Sequence, residues 1–525
     1  MTFLEKIKLI QGGMGVYVSN WRLARAVAME KPGLTAGTVS GTALDIVYAR
    51  LLQLGDPGGH IRQALAAFDK QFGVTIGNKI LERFFIPGGK APHARYKNTP
   101  THHLRENPGD QATSSHSLTL DPDTIELLVV TSFAEVWLAK QGHSGNIFIN
   151  FLNKIELPLI YSMYGAMLAG VNGIVVGAGN PDGLPAVCTS LAAHQKVNQR
   201  LSMLYRESGE EYTLSFNPAM VAGGKLTEYP LERPAFLAIV SLENLVLSLV
   251  NSQSEAPDGF IIENYTAGGH NAGPQGPLTR DEKGQPVYGV LDEPNLEVIR
   301  GTRHPFWLAG GYGSHEKYLQ ALTLGANGIQ AGTVFALSQE SGIQEKHRCA
   351  IFDYLKRGKE NINMVLTTMF SPTGYPFKVA QLAGTLSEDK VYEERQRVCD
   401  IGLLQQYGLS LPSADGIRRI FQRCQAAPVD DFVGKRGLPR NTEGKRCLCN
   451  GLLAGAGFSQ IRNQNGREDD EPSIVTLGND LDGVRQLSSQ GQIAYWAGDV
   501  VRNILDEMET SVKNLNPMVL LNSAS

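Results

Sequence analysis

Cysteine is scarce in this chain. The six thiols, Cys188, Cys349, Cys399, Cys424, Cys447 and Cys449, are too few to staple 525 residues, so no disulfide scaffold is expected and reduced thiols are. Basic charge is equally thin. With 48 Lys and Arg against 52 Asp and Glu, the formal net charge is −4 and no long basic run occurs, which argues against nucleic acid or an anionic membrane as partner. No stretch reaches the about 18 uninterrupted apolar residues of a spanning helix. Residues Met1 to Lys8 lack the apolar core and cleavage site of a secretion signal and read as entering a strand at once. A soluble, cytoplasmic protein is therefore expected.

Glycine is plentiful, at 57 residues, and it clusters at the ends of apolar runs. Phe260-Ile261-Ile262 reads as a buried strand that continues through Glu263 to Gly268-Gly269-His270, where two residues without a Cβ let backbone approach a flat ligand. A tight loop carrying a surface histidine would look the same. A second segment separates the two readings. Phe306-Trp307-Leu308-Ala309 ends in Gly310-Gly311, Ser314 then caps a helix from His315 to Leu324, and Gly328-Ile329-Gln330-Ala331 runs into Gly332-Thr333. Successive strand, glycine and helix units set backbone N–H groups side by side, as a barrel does when it holds a phosphate after its last two strands.

The opening repeats the pattern. Ile7 to Gln11 is a strand, Gly12-Gly13-Met14-Gly15 a turn, and Ser19-Asn20 cap a helix with Leu23, Ala24 and Val27 on one face before a strand from Gly33 to Val39. Further strands are expected at Leu127–Ser132, Ile147–Phe151, Gly173–Gly177 and Pro234–Val240. That makes nine candidates for eight slots, so one is surplus. The fold class is α/β, a TIM (β/α)8 barrel over residues 1–340, with an irregular insertion at 81–122 where prolines and histidines replace any period. Helical stretches at Ile343–Arg357, Asp389–Tyr407, Asp415–Ala426 and Gln492–Val512 make residues 341–525 a mainly helical cap or substrate region, with an exposed loop near Asn463–Pro472.

No metal is expected. The pair His102-His103 has no partner spacing, and Cys447-x-Cys449 supplies at most half of a tetrahedral site, with Cys399 and Cys424 on expected helices at no recognised spacing. Among aromatic residues near strand ends, Tyr265 is a candidate for substrate contact.

Taken in order, Gln11-Gly12-Gly13-Met14, Asn150 after Ile147-Phe148-Ile149, Ala267-Gly268-Gly269-His270, Ala309-Gly310-Gly311 and Gln330-Ala331-Gly332-Thr333 resemble the nitronate monooxygenases, formerly 2-nitropropane dioxygenases, over about residues 7–340. The same superfamily includes flavin enoyl-acyl-carrier-protein reductases. The resemblance implies an FMN enzyme on a TIM barrel. It implies that Gly12, Gly13 and Met14 lie against the flavin ring, that Asn150 contacts it, that Gly268 and Gly269 adjoin it, and that Gly310, Gly311, Gly332 and Thr333 form the phosphate cup. His270 falls on the family's active-site histidine, as proton acceptor or donor. Seven residues earlier the monooxygenases carry a flavin-binding glutamine, where this chain has Glu263. The implied reaction is oxidation of a nitronate or nitroalkane with O2. An NAD(P)H-dependent enoyl reductase working with an acyl carrier protein is the alternative, and a flavin-free binding or assembly subunit is a third reading.

Overall fold

Inner and outer faces alternate along each apolar run, and a computed structural model shows the result. It describes residues 2–112, 115–356, 364–464, 467–489 and 494–506. Eight parallel strands close on themselves: β1 (Leu9–Gln11), β2 (Thr35–Ser40), β3 (Asn146–Leu152), β4 (Gly173–Gly177), β5 (Ala235–Val240), β6 (Gly259–Glu263), β7 (Phe306–Ala309) and β8 (Gly328–Ala331). Neighbours in sequence are neighbours in the barrel, and β8 returns to β1 with Leu9 opposite Ile329 and Gln11 opposite Ala331.

The two-residue period decides what faces the site. Ile10, Ala36, Phe148, Val175, Leu237, Ile261 and Trp307 fill the barrel interior, while Leu9, Val240, Phe260, Ile262, Leu308 and Ile329 face the surrounding helices. Continuing that parity to the carboxyl ends points Asn150, Ile239, Glu263, Ala309 and Gln330 inward at the mouth.

The amino terminus forms a short helix, Phe3–Lys6, rather than a strand. Thr2 and Glu5 make a capping box, and Leu4 and Ile7 plug the barrel base, where the Trp307 indole donates to the Ile7 carbonyl at 3.0 Å. Asn20 caps the first barrel helix, Trp21–Glu30, accepting from the amides of Arg22 and Leu23 at 2.8 and 3.2 Å. The surplus strand is Leu127–Ser132. It lies within one helix, Pro122–Ala139, that is buried on nearly every side, so its apolar run carries no helical stripe.

The irregular insertion contains more order than its composition suggests. Strands Arg105–Ala112 and Ser115–Thr119 join Val197–Arg200 and Glu211–Phe216 in a four-stranded sheet, while 85–104 is irregular. After the barrel come helices Glu345–Lys356, Asp389–Glu394, Val429–Gly434, Cys449–Gly455, Asp482–Ser489 and Ala497–Leu505, interleaved with short strands. Three expectations change here. Asp389–Tyr407 is helical only to Glu394 and then enters strand Gln406–Leu409, and within Asp415–Ala426 the regular element is strand Ile420–Arg423, paired antiparallel with it. The expected loop at Asn463–Pro472 falls on two paired strands, Ile461–Gln464 and Arg467–Asp470. Of the last expected helix, residues 492–493 and 507–512 lie outside the described residues. Among the described residues, no helix is long and apolar enough to cross a membrane.

Candidate active site

The carboxyl ends of the barrel strands open into one cavity. Gly12, Gly13, Met14, Asn150, Glu263, Gly268, Gly269, His270, Gly310, Gly311, Gly332 and Thr333 all line it. Tyr265 does not. Its ring stacks on Tyr288 at 4.0 Å and 6°, its hydroxyl donates to Glu293 at 3.3 Å, and it borders a small neighbouring recess.

Buried hydrogen bonds shape the first turn. Gln11 donates through Nε2 to the Gly12 carbonyl (2.5 Å) and to Ser19 Oγ (2.8 Å), and its Oε1 accepts from the Thr38 amide at 2.9 Å. Ser19 Oγ in turn accepts from the Met14 amide at 2.9 Å. With no Cβ, Gly13 presses onto Asn150: a Cβ built there would stand 2.1 Å from Asn150 Cβ. Asn150 Nδ2 donates to the Gly13 carbonyl at 3.2 Å, which leaves Asn150 Oδ1 buried without a partner.

Across the mouth, Gly310 and Gly311 are both left-handed, at φ +81° and +79°, and a Cβ on Gly310 would meet the Asn264 carbonyl oxygen at 2.7 Å. Ser314 caps helix His315–Thr323 behind them, accepting from the Lys317 amide at 3.4 Å. Thr333 Oγ1 accepts from the Gly478 amide at 2.9 Å, tying the β8 turn to the carboxyl-terminal region. One acidic group stands beside this cup. Asp480 Oδ2 would lie 3.9 Å from a Cβ on Gly311, and burial raises its carboxyl pKa, with the Lys317 ammonium among the groups opposing the rise.

His270 sits on a short strand, Gly269–His270, paired antiparallel with Pro376–Ala380 so that His270 opposes Phe377 and Gly269 opposes Lys378. The Phe377 ring meets the imidazole edge-on, at 4.8 Å and 82°. His270 Nε2 is buried without a partner, and burial pulls the imidazole pKa down to about 4, so the ring is neutral at ordinary pH. Lys378 is 5 % exposed; its ammonium donates to the Tyr265 carbonyl at 2.7 Å and to Asn479 Oδ1. Burial lowers its pKa to about 8, opposed by Glu263, while burial pushes Glu263 up to about 7, opposed by Lys378.

No family model matches the sequence, and no curated protein matches it. Solved structures do. FabK from Thermotoga maritima shares 14 % identity over 98 % of this chain and 96 % of its own, with a TM-score of 0.46. A nitroalkane oxidase from Streptomyces ansochromogenes shares 13 % over 97 % and 98 %, at 0.45. The enoyl reductase domain of MlnA, from the macrolactin biosynthesis cluster of Bacillus amyloliquefaciens, shares 10 % over 96 % and 94 %, at 0.42. With all three scores below one half, the barrel rests on the strand pairing above and the site on its own residues.

Sequence reading missed several wall residues. Gln330 was legible from strand parity, since Ile329 and Ala331 face outward. Phe377, Leu403, Leu404, Leu452, Leu477 and Asp480 come from the carboxyl-terminal region, and nothing local to them signals the cavity they close. Lys378, which does not line the cavity but bears electrostatically on Glu263, was missed as well. Its place follows from a strand pairing that joins residues more than a hundred positions apart.

Proposed function

We propose that this chain is an FMN-dependent oxidoreductase of the nitronate monooxygenase type, acting on a nitronate or nitroalkane with O2. The observation that carries the reading is the meeting of three glycine turns and one neutral, unpartnered imidazole at a single barrel mouth. The residues fit the cofactor. Gly310, Gly311 and Gly332 offer backbone without a side chain, beside Thr333, where a phosphate would lie, and Gly12, Gly13 and Met14 offer a flat floor for the ring. Asn150 Oδ1 and His270 Nε2, both lacking partners, supply polar contacts at its edge. Flavin, when bound, supplies the electron-transfer chemistry.

The chain supplies orientation and proton movement. His270, neutral above about pH 4, is free to accept a substrate proton. Glu263 and Lys378, titrating near 7 and 8, hold a charge beside the cofactor floor that changes across the physiological range. We read residues 341–525 as the cap that excludes water: Phe377, Leu403, Leu404, Leu452 and Leu477 roof the cavity.

That apolar roof also favours a second reading, an NAD(P)H-dependent enoyl reductase whose acyl substrate arrives as a thioester or on an acyl carrier protein. Anaerobic mixing of the flavin-loaded protein with a nitronate and, separately, with NADPH distinguishes the two. Bleaching by the nitronate, with oxygen uptake on re-aeration, supports the first; bleaching by NADPH, with oxidation driven by a crotonyl-type thioester, supports the second. A purified chain that stays colourless with added FMN would instead mark a flavin-free binding subunit.

A further inference from the structure

Three basic side chains from distant parts of the chain converge on one hairpin turn beside the cavity. Strands Val365–Phe370 and Pro376–Ala380 pair antiparallel with Phe370 opposite Pro376, and the Ser371 amide closes the turn by donating to the Tyr375 carbonyl at 2.9 Å. The Arg280 guanidinium lies 5.0 Å, and the Lys445 ammonium 5.2 Å, from the centre of the Phe370 ring. Lys154 reaches the Tyr375 ring at 5.6 Å. Two aromatic faces on one turn therefore hold three cations by cation–π attraction, in a chain whose net charge is −4.

Specific bonds build this convergence. Gln285 clamps the loop that carries Arg280 to strand Val365–Phe370, accepting from the Thr367 amide at 2.6 Å and donating to its carbonyl at 3.3 Å. The Arg446 amide donates to the Phe370 carbonyl at 2.9 Å, which sets the preceding lysine over the ring. Among the described residues, no carboxylate forms an ion pair with any of the three cations. Glu156, on which Lys154 acts electrostatically, accepts instead from the Ser202 hydroxyl at 2.7 Å. The turn also borders the cavity wall. Ile155, next to Lys154, lines the cavity, and so does Phe377, which meets the His270 imidazole at 4.8 Å.

We propose that Lys154, Arg280 and Lys445 form a rim that binds the phosphate of a phosphopantetheine arm, so that the substrate is an acyl thioester presented from outside the cavity. This rests on the enoyl reductase reading of the site. The acyl chain lies against Leu403, Leu404 and Leu452, and the arm leaves past Phe377 to the rim. Ammonium and guanidinium groups bind phosphate through charge-assisted hydrogen bonds, and cations resting on ring faces keep N–H groups free to make them. Coenzyme A and a carrier protein bear the same arm. The rim reads the phosphate that both share.

The test titrates the flavin-loaded full chain calorimetrically with crotonyl-pantetheine and with crotonyl-phosphopantetheine, which differ by one phosphate. The phosphorylated ester should bind roughly tenfold tighter at low salt, with the gap narrowing as salt is raised. Lys154→Met/Arg280→Met, at two exposed positions, should remove most of the gap, and Lys445→Met gives a second measurement if the double variant fails to fold. Arg200→Met, which alters an exposed cation paired with Glu211 on another sheet, should keep it. Crotonyl-coenzyme A and a crotonyl-loaded carrier protein, titrated in parallel, identify the source of the arm by which binds tighter. Equal affinity for the two pantetheine esters, binding of neither, or a gap that survives in the rim variants would overturn the rim. NADPH-driven reduction of the unphosphorylated ester is followed separately. Its failure beside a clear phosphate gap contradicts the reductase reading and leaves the rim standing, whereas reduction without a gap contradicts the rim alone.

Discussion

Lys378 and Glu263 are electrostatic counterweights at the barrel mouth. Burial pushes the carboxyl up to about 7 while the lysine pulls it back, and burial draws the ammonium down to about 8 while the carboxylate holds it up. Each would be further from its ordinary value without the other.

The carboxyl makes stability depend on pH in a definite direction. Its folded value lies above its ordinary 4.5, so its contribution is fully present below pH 4.5 and is lost as pH rises toward about 7. The loss is on the order of 2–3 kcal/mol. Glu263→Gln should remove that decline, seen as a flatter melting temperature between pH 4.5 and 7; an unchanged slope would count against the burial of this carboxyl.

His270 behaves oppositely, because its folded value of about 4 lies below its ordinary 6.5. It is neutral throughout the working range, so a turnover limb near neutrality belongs to the Glu263 and Lys378 pair. His270→Ala should retain FMN and lose roughly 10²–10⁴ of turnover, with the near-neutral limb surviving in what remains. Undiminished turnover would refute proton transfer by this imidazole.

Lys378→Met removes the charge that restrains Glu263. The lower limb of the pH profile should move upward by roughly one unit. The variant should also melt earlier, having lost the bonds to the Tyr265 carbonyl and Asn479. An unmoved limb would show that the two groups do not communicate.

Asp480 stands beside Gly311, in the proposed phosphate cup. Like charge there opposes a phosphate dianion, so Asp480→Asn should tighten FMN by up to about tenfold in a fluorescence titration at low salt, and less at high salt. Weaker binding in the variant would mean that the carboxylate helps to hold the turn instead.

What the sequence revealed and what it hid follow from the range of the forces involved. Glycine turns are legible because the need for φ above zero or for close approach is local, as at Gly310, Gly311 and Gly13. All eight barrel strands and their order could be assigned, and the one surplus candidate was Leu127–Ser132, whose all-round burial erases the period that separates helix from strand. Lys378 and Asp480 were hidden for another reason. Gly269 and Lys378 lie more than a hundred positions apart, and nothing near either records that they will pair. Contacts between distant segments leave no mark in local spacing.

The central claim is that the turns at Gly310–Gly311 and Gly332–Thr333 hold a phosphate beside the ring of a flavin. Its most direct test is to titrate apoprotein with FMN and with riboflavin, which differ only in that phosphate, following quenching of flavin fluorescence. The account predicts FMN binding at least about a hundredfold tighter than riboflavin, a gap of roughly 2.8 kcal/mol, with most of the gap lost in Gly311→Leu. Equal affinity for the two flavins, or binding of neither, would contradict it.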